Sequence, residues 1–149
     1  MRGVAQRVSQ AKVTVEGEIT GEIGRGIVLL LGVGREDAEK DAEYLLNKTL
    51  KLRIFEDAEG RMNRSLLDLN GGLLIVSQFT LLGDVKKGLR PSFIRAAEPA
   101  DAERLYRHFV KLAAEQLDKV ETGRFRAMMD LELVNNGPVT ILLDSKREF

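Results

Sequence analysis

The chain holds one histidine, His108, and no cysteine, so few routes to an activated nucleophile are open. A Ser–His pair needs its base, and a thiolate or a Cys-type metal site needs sulfur. His108 sits beside Leu105 and Leu112 on a helical pattern and reads as a border residue of that helix. No second histidine completes a metal set, and the Gly-x-Ser-x-Gly elbow of serine hydrolases is absent. Gly24-Arg25-Gly26 lacks the third glycine of a dinucleotide site, and Gly32-Val33-Gly34 leads into no Lys-Ser or Lys-Thr pair. Acidic residues alternate with basic ones on helical stretches, as on solvated faces. Catalysis by this chain would run without a conventional side-chain nucleophile and base, and no metal or cofactor is expected.

Two short segments stand out against that background. Ser77-Gln78-Phe79-Thr80-Leu81 follows the apolar run Leu73 to Val76. Polar side chains and backbone N–H groups would then emerge together from the end of a buried strand, where geometry is rigid. A polar strand end with Phe79 tucked into the core accounts for the same residues, and spacing alone does not separate the two. The second segment is Asn135-Asn136-Gly137-Pro138-Val139-Thr140. Asn-Gly between strands is a strong hairpin signal. Pro138 fits it poorly, because it cannot donate to a sheet ladder and it restricts Gly137. Such a turn can present bare carbonyls outward, and an X–Pro bond can be cis.

The elements that must position these segments belong to one domain of 149 residues. Apolar residues make up 44% and charged residues 31%, the balance of a soluble globular protein. The longest apolar runs, Ile27–Leu31 and Leu73–Val76, suit strands and not membrane spans. No signal-peptide core follows Met1-Arg2-Gly3-Val4-Ala5, so a cytoplasmic protein without membrane contact is expected. The net charge of zero argues mildly against a general nucleic-acid binder. A local patch remains open: Lys86, Lys87, Arg90 and Arg95 have no acid between Lys86 and Arg95. A solvated, charge-rich loop explains that stretch equally well.

Strands are expected at Val4–Val8, Ala11–Val15 and Ile19–Ile23, with Ile27–Val33 and Leu73–Ser77 buried on both faces. A helix over residues 37–51 would start from Asp37 as N-cap, and a second would run from Pro99 to near Asp118. Arg53–Glu56 reads as a short strand, and Gly83–Ala97 as a functional or interface loop. Ala127–Val134 and Val139–Leu143 would be strands around the Asn-Gly turn. The result is a mixed α+β fold, a curved or barrel-like sheet with two main helices.

Taken together, the Ser-Gln-Phe-Thr-Leu segment at 77–81 and the Asn-x-Gly-Pro-Val-Thr segment at 135–140 resemble the two signature motifs of the D-aminoacyl-tRNA deacylase family. The opening Met1–Gly17, with Arg7-Val8 and Val13-Thr14-Val15, Arg90-Pro91-Ser92-Phe93 and Thr122-Gly123-Arg124-Phe125 extend the resemblance over the whole chain. It implies a homodimer whose active sites lie at the subunit interface. Gly137 and Pro138 of one subunit, joined by a cis bond, would enter the other's site and leave no room for an L side chain. The reaction implied is hydrolysis of the ester between a D-amino acid and the 3′-terminal adenosine of tRNA, with some activity on glycyl-tRNA. Ser77, Gln78, Phe79 and Thr80 would position the adenosine and ester, with backbone groups and the substrate's 2′-hydroxyl carrying the chemistry. Phe125 and Met129 match family positions lining the pocket, though core packing on a strand also explains them. Two rivals remain: a related editor of L-alanyl-tRNA, and a non-catalytic tRNA-binding module. Lys86, Lys87 and Arg90 are candidates for the tRNA grip.

Overall fold

The two β-rich N-terminal segments form a single strand, β1 (Arg2–Val15), in the computed structural model, which describes all residues from 1 to 149. One edge of β1 serves two neighbours. Its first half pairs antiparallel with β3 (Gly26–Gly32), and its second half with β2 (Glu18–Ile23). Ser9 and Gln10 are exposed where the partners change. The core that β1 packs into changes at the same place: Ala5 belongs to one apolar cluster, and Val8, Ala11, Val13 and Val15 to a second. The strand therefore bends, and the sheet curls over itself.

β3 continues in parallel with β6 (Gly72–Ser77), and β6 with the short β7 (Val120–Thr122). Parallel neighbours need long crossovers. The first carries α1 (Glu39–Lys51), the antiparallel pair β4 (Phe55–Glu56) and β5 (Met62–Arg64), and the one-turn α2 (Leu66–Leu69). The second carries α3 (Pro99–Ala114). Ile27, Leu29, Leu31, Leu73 and Ile75 face α1 and α3, packing with Leu45, Leu46 and Phe109. Val28, Leu74 and Val76 face the other way, onto Val8, Val13 and Ile23 under the curled half of the sheet. Burial on both faces is why these strands read as unbroken apolar runs. The expected mixed α+β architecture is thus observed. No helix is long and apolar enough to cross a membrane.

Three local expectations are corrected. Asp37 does not cap α1: the N-cap is Ala38, whose N–H donates to the Asp41 carboxylate at 2.9 Å. Asp37 is drawn away by the Met1 amino group, 2.6 Å from Oδ1, and by the Gly34 N–H on Oδ2. The strand expected from Ala127 begins only at Asp130, leaving Gly123–Met129 irregular with Arg126 at positive φ. Above all, there is no Asn-Gly hairpin. β8 (Asp130–Asp144) is continuous and antiparallel to β1 along its free edge, from Thr14↔Asp130 to Arg2↔Asp144. Gln6 pairs with Thr140 and Val8 with Asn135, so Asn136–Val139 form a bulge opposite the single residue Arg7. A long partner strand overrides the local turn preference.

Asp41 also binds Lys146 Nζ at 2.8 Å, tying α1 to the chain beyond β8. Burial raises its pKa, but the Lys146 hydrogen bond, the Ala38 N–H, Ser145 and the Lys146 charge outweigh this and bring it to about 2. Between the unfolded value and about 2 the unfolded chain binds more protons, so stability falls as pH drops through that window. In acid titrations followed by circular dichroism, Asp41→Asn should flatten the loss of stability between about pH 4 and pH 2. An unchanged acid limb would refute the coupling.

Candidate active site

A cavity of about 610 Å³ opens at the C-terminal end of β6, between the start of α3 and the 125–131 segment. Ser77 at the end of β6, with Gln78 and Phe79 just beyond it, lines one wall, and Phe125 and Met129 line the opposite one. Val33, Ala97 and Ala102 add small apolar surface, and Arg126, Met128 and Leu131 also line the cavity. A pocket of this size and lining suits an organic ligand held by a few polar groups.

The motif's shape follows from its neighbours. Gln78 N–H makes the last rung with Leu31 C=O at 2.8 Å, after which residues 79–82 wind into a 3₁₀ turn. The turn rests on Gly32, where a Cβ would lie 2.9 Å from Gln78 C=O and 2.7 Å from a Leu82 methyl. Leu82 is the buried anchor, while Phe79 stays exposed and meets Phe93 edge-on at 5.0 Å between centroids. The first N–H groups of such a turn have no carbonyl one turn earlier to bond. Those of Phe79 and Thr80 occupy that position. The Thr80 hydroxyl is bonded by the Gln78 amide and is exposed. No carboxylate or imidazole bonds it, and Thr80 is not among the cavity-lining residues.

On the far wall Phe125 tilts against Tyr106 at 5.7 Å. The Tyr106 hydroxyl donates to Ile75 C=O at 2.8 Å. Burial pushes its pKa up, against a smaller lowering by the Thr122 hydrogen bond, so it stays a neutral anchor. Met129 packs on Gly123, where a Cβ would come within 2.5 Å of its sulfur. Both Phe125 and Met129 thus belong to an irregular segment facing the cavity, not to a strand.

Gly137 and Pro138 are elsewhere. They crown the β8 bulge, exposed, joined by a cis bond and absent from the cavity of their own chain. The bulge is held from beneath by Arg7, buried with only 6% exposure. Its Nε donates to Asn136 C=O at 2.9 Å and its Nη1 to Ile54 C=O at 2.6 Å. Asn135 closes the bulge, accepting from the Val139 N–H at 3.1 Å and donating to the Thr140 hydroxyl at 3.0 Å. Arg7 is the residue that motif spacing does not reveal. The available signal was an arginine inside a β run, a position where a buried charge needs partners.

The candidate tRNA-contacting cations lie on an arm. Asp84 and Ser92 exchange backbone hydrogen bonds of 2.8 and 2.9 Å, and Lys86, Lys87 and Arg90 are exposed beyond them. Arg95 leaves the group, since it pairs with Glu148. His108 does not line the cavity; it is half-buried on α3 with its Nε2 unpartnered. A second, polar cleft of about 290 Å³ is lined by Met1, Arg2, Asp37, Asp144, Lys146 and Glu148, whose charges pair with one another.

Comparison with known proteins gives this geometry a family. The model of the D-Tyr-tRNA(Tyr) deacylase family matches residues 4–144. D-aminoacyl-tRNA deacylases of Koribacter versatilis (strain Ellin345) and Symbiobacterium thermophilum are 60% and 58% identical over 149 residues, covering all of this chain and 100% and 99% of theirs. A solved structure of a c-Myc DNA unwinding element binding protein superposes with TM-score 0.92 at 41% identity, covering 97% of this chain and 98% of that one. A probable eukaryotic D-amino acid tRNA deacylase shares the fold, with TM-score 0.75 at 21% identity over 96% of this chain and 98% of that one. On the family model and on full-length relatives of this identity, the chain belongs to the D-Tyr-tRNA(Tyr) deacylase family and is a hydrolase.

Proposed function

We propose that the enzyme hydrolyses the ester joining a D-amino acid to the 3′-terminal adenosine of tRNA, and that it selects D over L by exclusion. The observation that carries this is the separation within one chain between a ready cavity and a rigidly held, outward-facing Gly137-Pro138. A second subunit would bring the two together, making the dimer part of the active site. The Gly137 and Pro138 carbonyls would then face the substrate's α-carbon and block the L side chain. A filter that blocks one direction accepts many D side chains and cannot reject glycine, so glycyl-tRNA is a further substrate.

Water attacks the ester carbonyl, the bond to the ribose oxygen breaks, and the free amino acid and the ribose hydroxyl are released. Donors of a preformed oxyanion hole are each worth about 10²–10³ in rate, and the N–H of Phe79, a residue that lines the cavity, suits that part. The substrate's 2′-hydroxyl helps activate the water, while Ser77 and Gln78 position the adenosine. Phe125 and Met129 wall the site. The setting is the cytoplasm, where charged tRNA is used.

Hydrolysis of D- and L-tyrosyl-tRNA measured side by side tests the reading. Release of the D form with the L form intact is expected; hydrolysis of an L form alone, such as L-alanyl-tRNA, would favour an L-directed editor. A relative described as binding a DNA element keeps a non-catalytic nucleic-acid module in view. That alternative predicts binding of uncharged tRNA with no release above the buffer rate. Thr80→Ala should keep kcat within about tenfold, because no base activates its hydroxyl. Complete loss in a folded protein would restore Thr80 as nucleophile.

A further inference from the structure

We infer that the 84–92 arm is an RNA-docking element that takes the phosphodiester backbone of the tRNA acceptor end; this rests on the substrate reading above. The chain carries 23 basic and 23 acidic residues, so a run of unbalanced cations at a site's edge is not background. Lys86, Lys87 and Arg90 form no ion pair, whereas Arg95, at the foot of the arm, is neutralised by Glu148. Asp84 is the acid closest in sequence, and its carboxylate accepts the Lys86 backbone N–H at 2.8 Å.

The arm is also built to hold those cations in place. Its two backbone hydrogen bonds close the hairpin at Asp84 and Ser92, and Gly88 at φ +78 makes the reversal. Its base is fixed on the cavity, since Phe93 meets Phe79 at 5.0 Å and Phe79 lines the cavity. The tip, four residues from Phe93, lies within about 13 Å at about 3.3 Å per residue. Strand-borne phosphates leading away from an adenosine in the cavity would fall within that reach. Leu89 at the tip is fully exposed, an apolar surface on which an unpaired base can rest. Cations that track a backbone are one part of a single-strand binding surface, and Leu89 adds an apolar contact at the tip.

The test compares two substrates that share the reacting ester, D-tyrosyl-tRNA and 3′-O-(D-tyrosyl)adenosine, the latter without phosphate. For the triple variant Lys86→Ala, Lys87→Ala, Arg90→Ala, kcat/KM on the tRNA substrate should fall on the order of 10-fold or more at low salt. The rate on the adenosine ester should not change. For uncharged tRNA, the slope of log affinity against log salt should become shallower by about 2, at about 0.7 for each phosphate no longer neutralised. A glutamine triple variant, which keeps polar side chains, should behave alike if charge is the cause. Equal loss on both substrates, or an unchanged salt slope, would overturn the inference. If the unaltered enzyme cleaves neither substrate, the deacylase reading fails, and the salt slope still decides the arm: shallower in the variant supports it, equal refutes it.

Discussion

Gly137→Ala should reduce the D-over-L preference by about two orders of magnitude, through faster L hydrolysis and with the cavity intact. Gly137 adopts φ +125, where an L side chain is strained. A Cβ there would lie 2.7 Å from Arg7 Nη2 and 2.9 Å from a Val139 methyl. The guanidinium is not a loose end that can step aside, because it is buried and held by two carbonyls. The backbone of the bulge must move instead. A displacement of about 1 Å at a reacting centre is worth about 10²-fold, and here the loss falls on rejection. The ratio of kcat/KM for D- and L-tyrosyl-tRNA measures it. A ratio unchanged in a folded variant of native size would remove Gly137 from the selection.

Arg7→Met should lower stability by about 2–4 kcal/mol and loosen selection in the same direction. Methionine keeps much of the volume and removes the cost of burying a charge, which offsets part of the loss of two charge-assisted hydrogen bonds, each worth about 1.5–3 kcal/mol. It leaves the carbonyl of the buried Ile54 without this donor. For a chain of this size the loss corresponds to a melting temperature lower by roughly 5–15 °C. Arg7→Lys should recover only part of it, since an ammonium cannot reproduce the forked donor geometry. A variant that melts with the parent and rejects L substrates as well would show that Arg7 merely fills space.

The frame of the molecule was legible where periodicity is strong. Ile27–Val33 and Leu73–Ser77 read as strands buried on both faces, and helices cover them on one side and the curled sheet on the other. Asn135-Asn136-Gly137 misled because hairpin propensity is local, whereas β1 is long enough to pair with β8 on both sides of the bulge. Asp37 misled for a similar reason: the Met1 amino group, distant in sequence, claims its carboxylate. β5, α2 and β7 are only three or four residues long, too short to show a period. At the site, five of the eight singled-out residues, Ser77, Gln78, Phe79, Phe125 and Met129, line one cavity. Gly137 and Pro138 do not reach it, a gap visible only in three dimensions, as is the support from Arg7.

Mixing two variants tests most directly whether Gly137 and Pro138 act in the neighbouring subunit's site. One variant, Ala102→Trp, fills the cavity but keeps the bulge; the other, Gly137→Ala, keeps the cavity but displaces the bulge. In a mixed dimer each intact cavity receives an intact bulge. Adding an excess of the cavity-filled variant, with subunit exchange allowed, should therefore suppress L-tyrosyl-tRNA hydrolysis by the Gly137→Ala protein while D-tyrosyl-tRNA hydrolysis persists. L hydrolysis that stays constant as mixed dimers form would contradict selection by the partner's Gly137-Pro138.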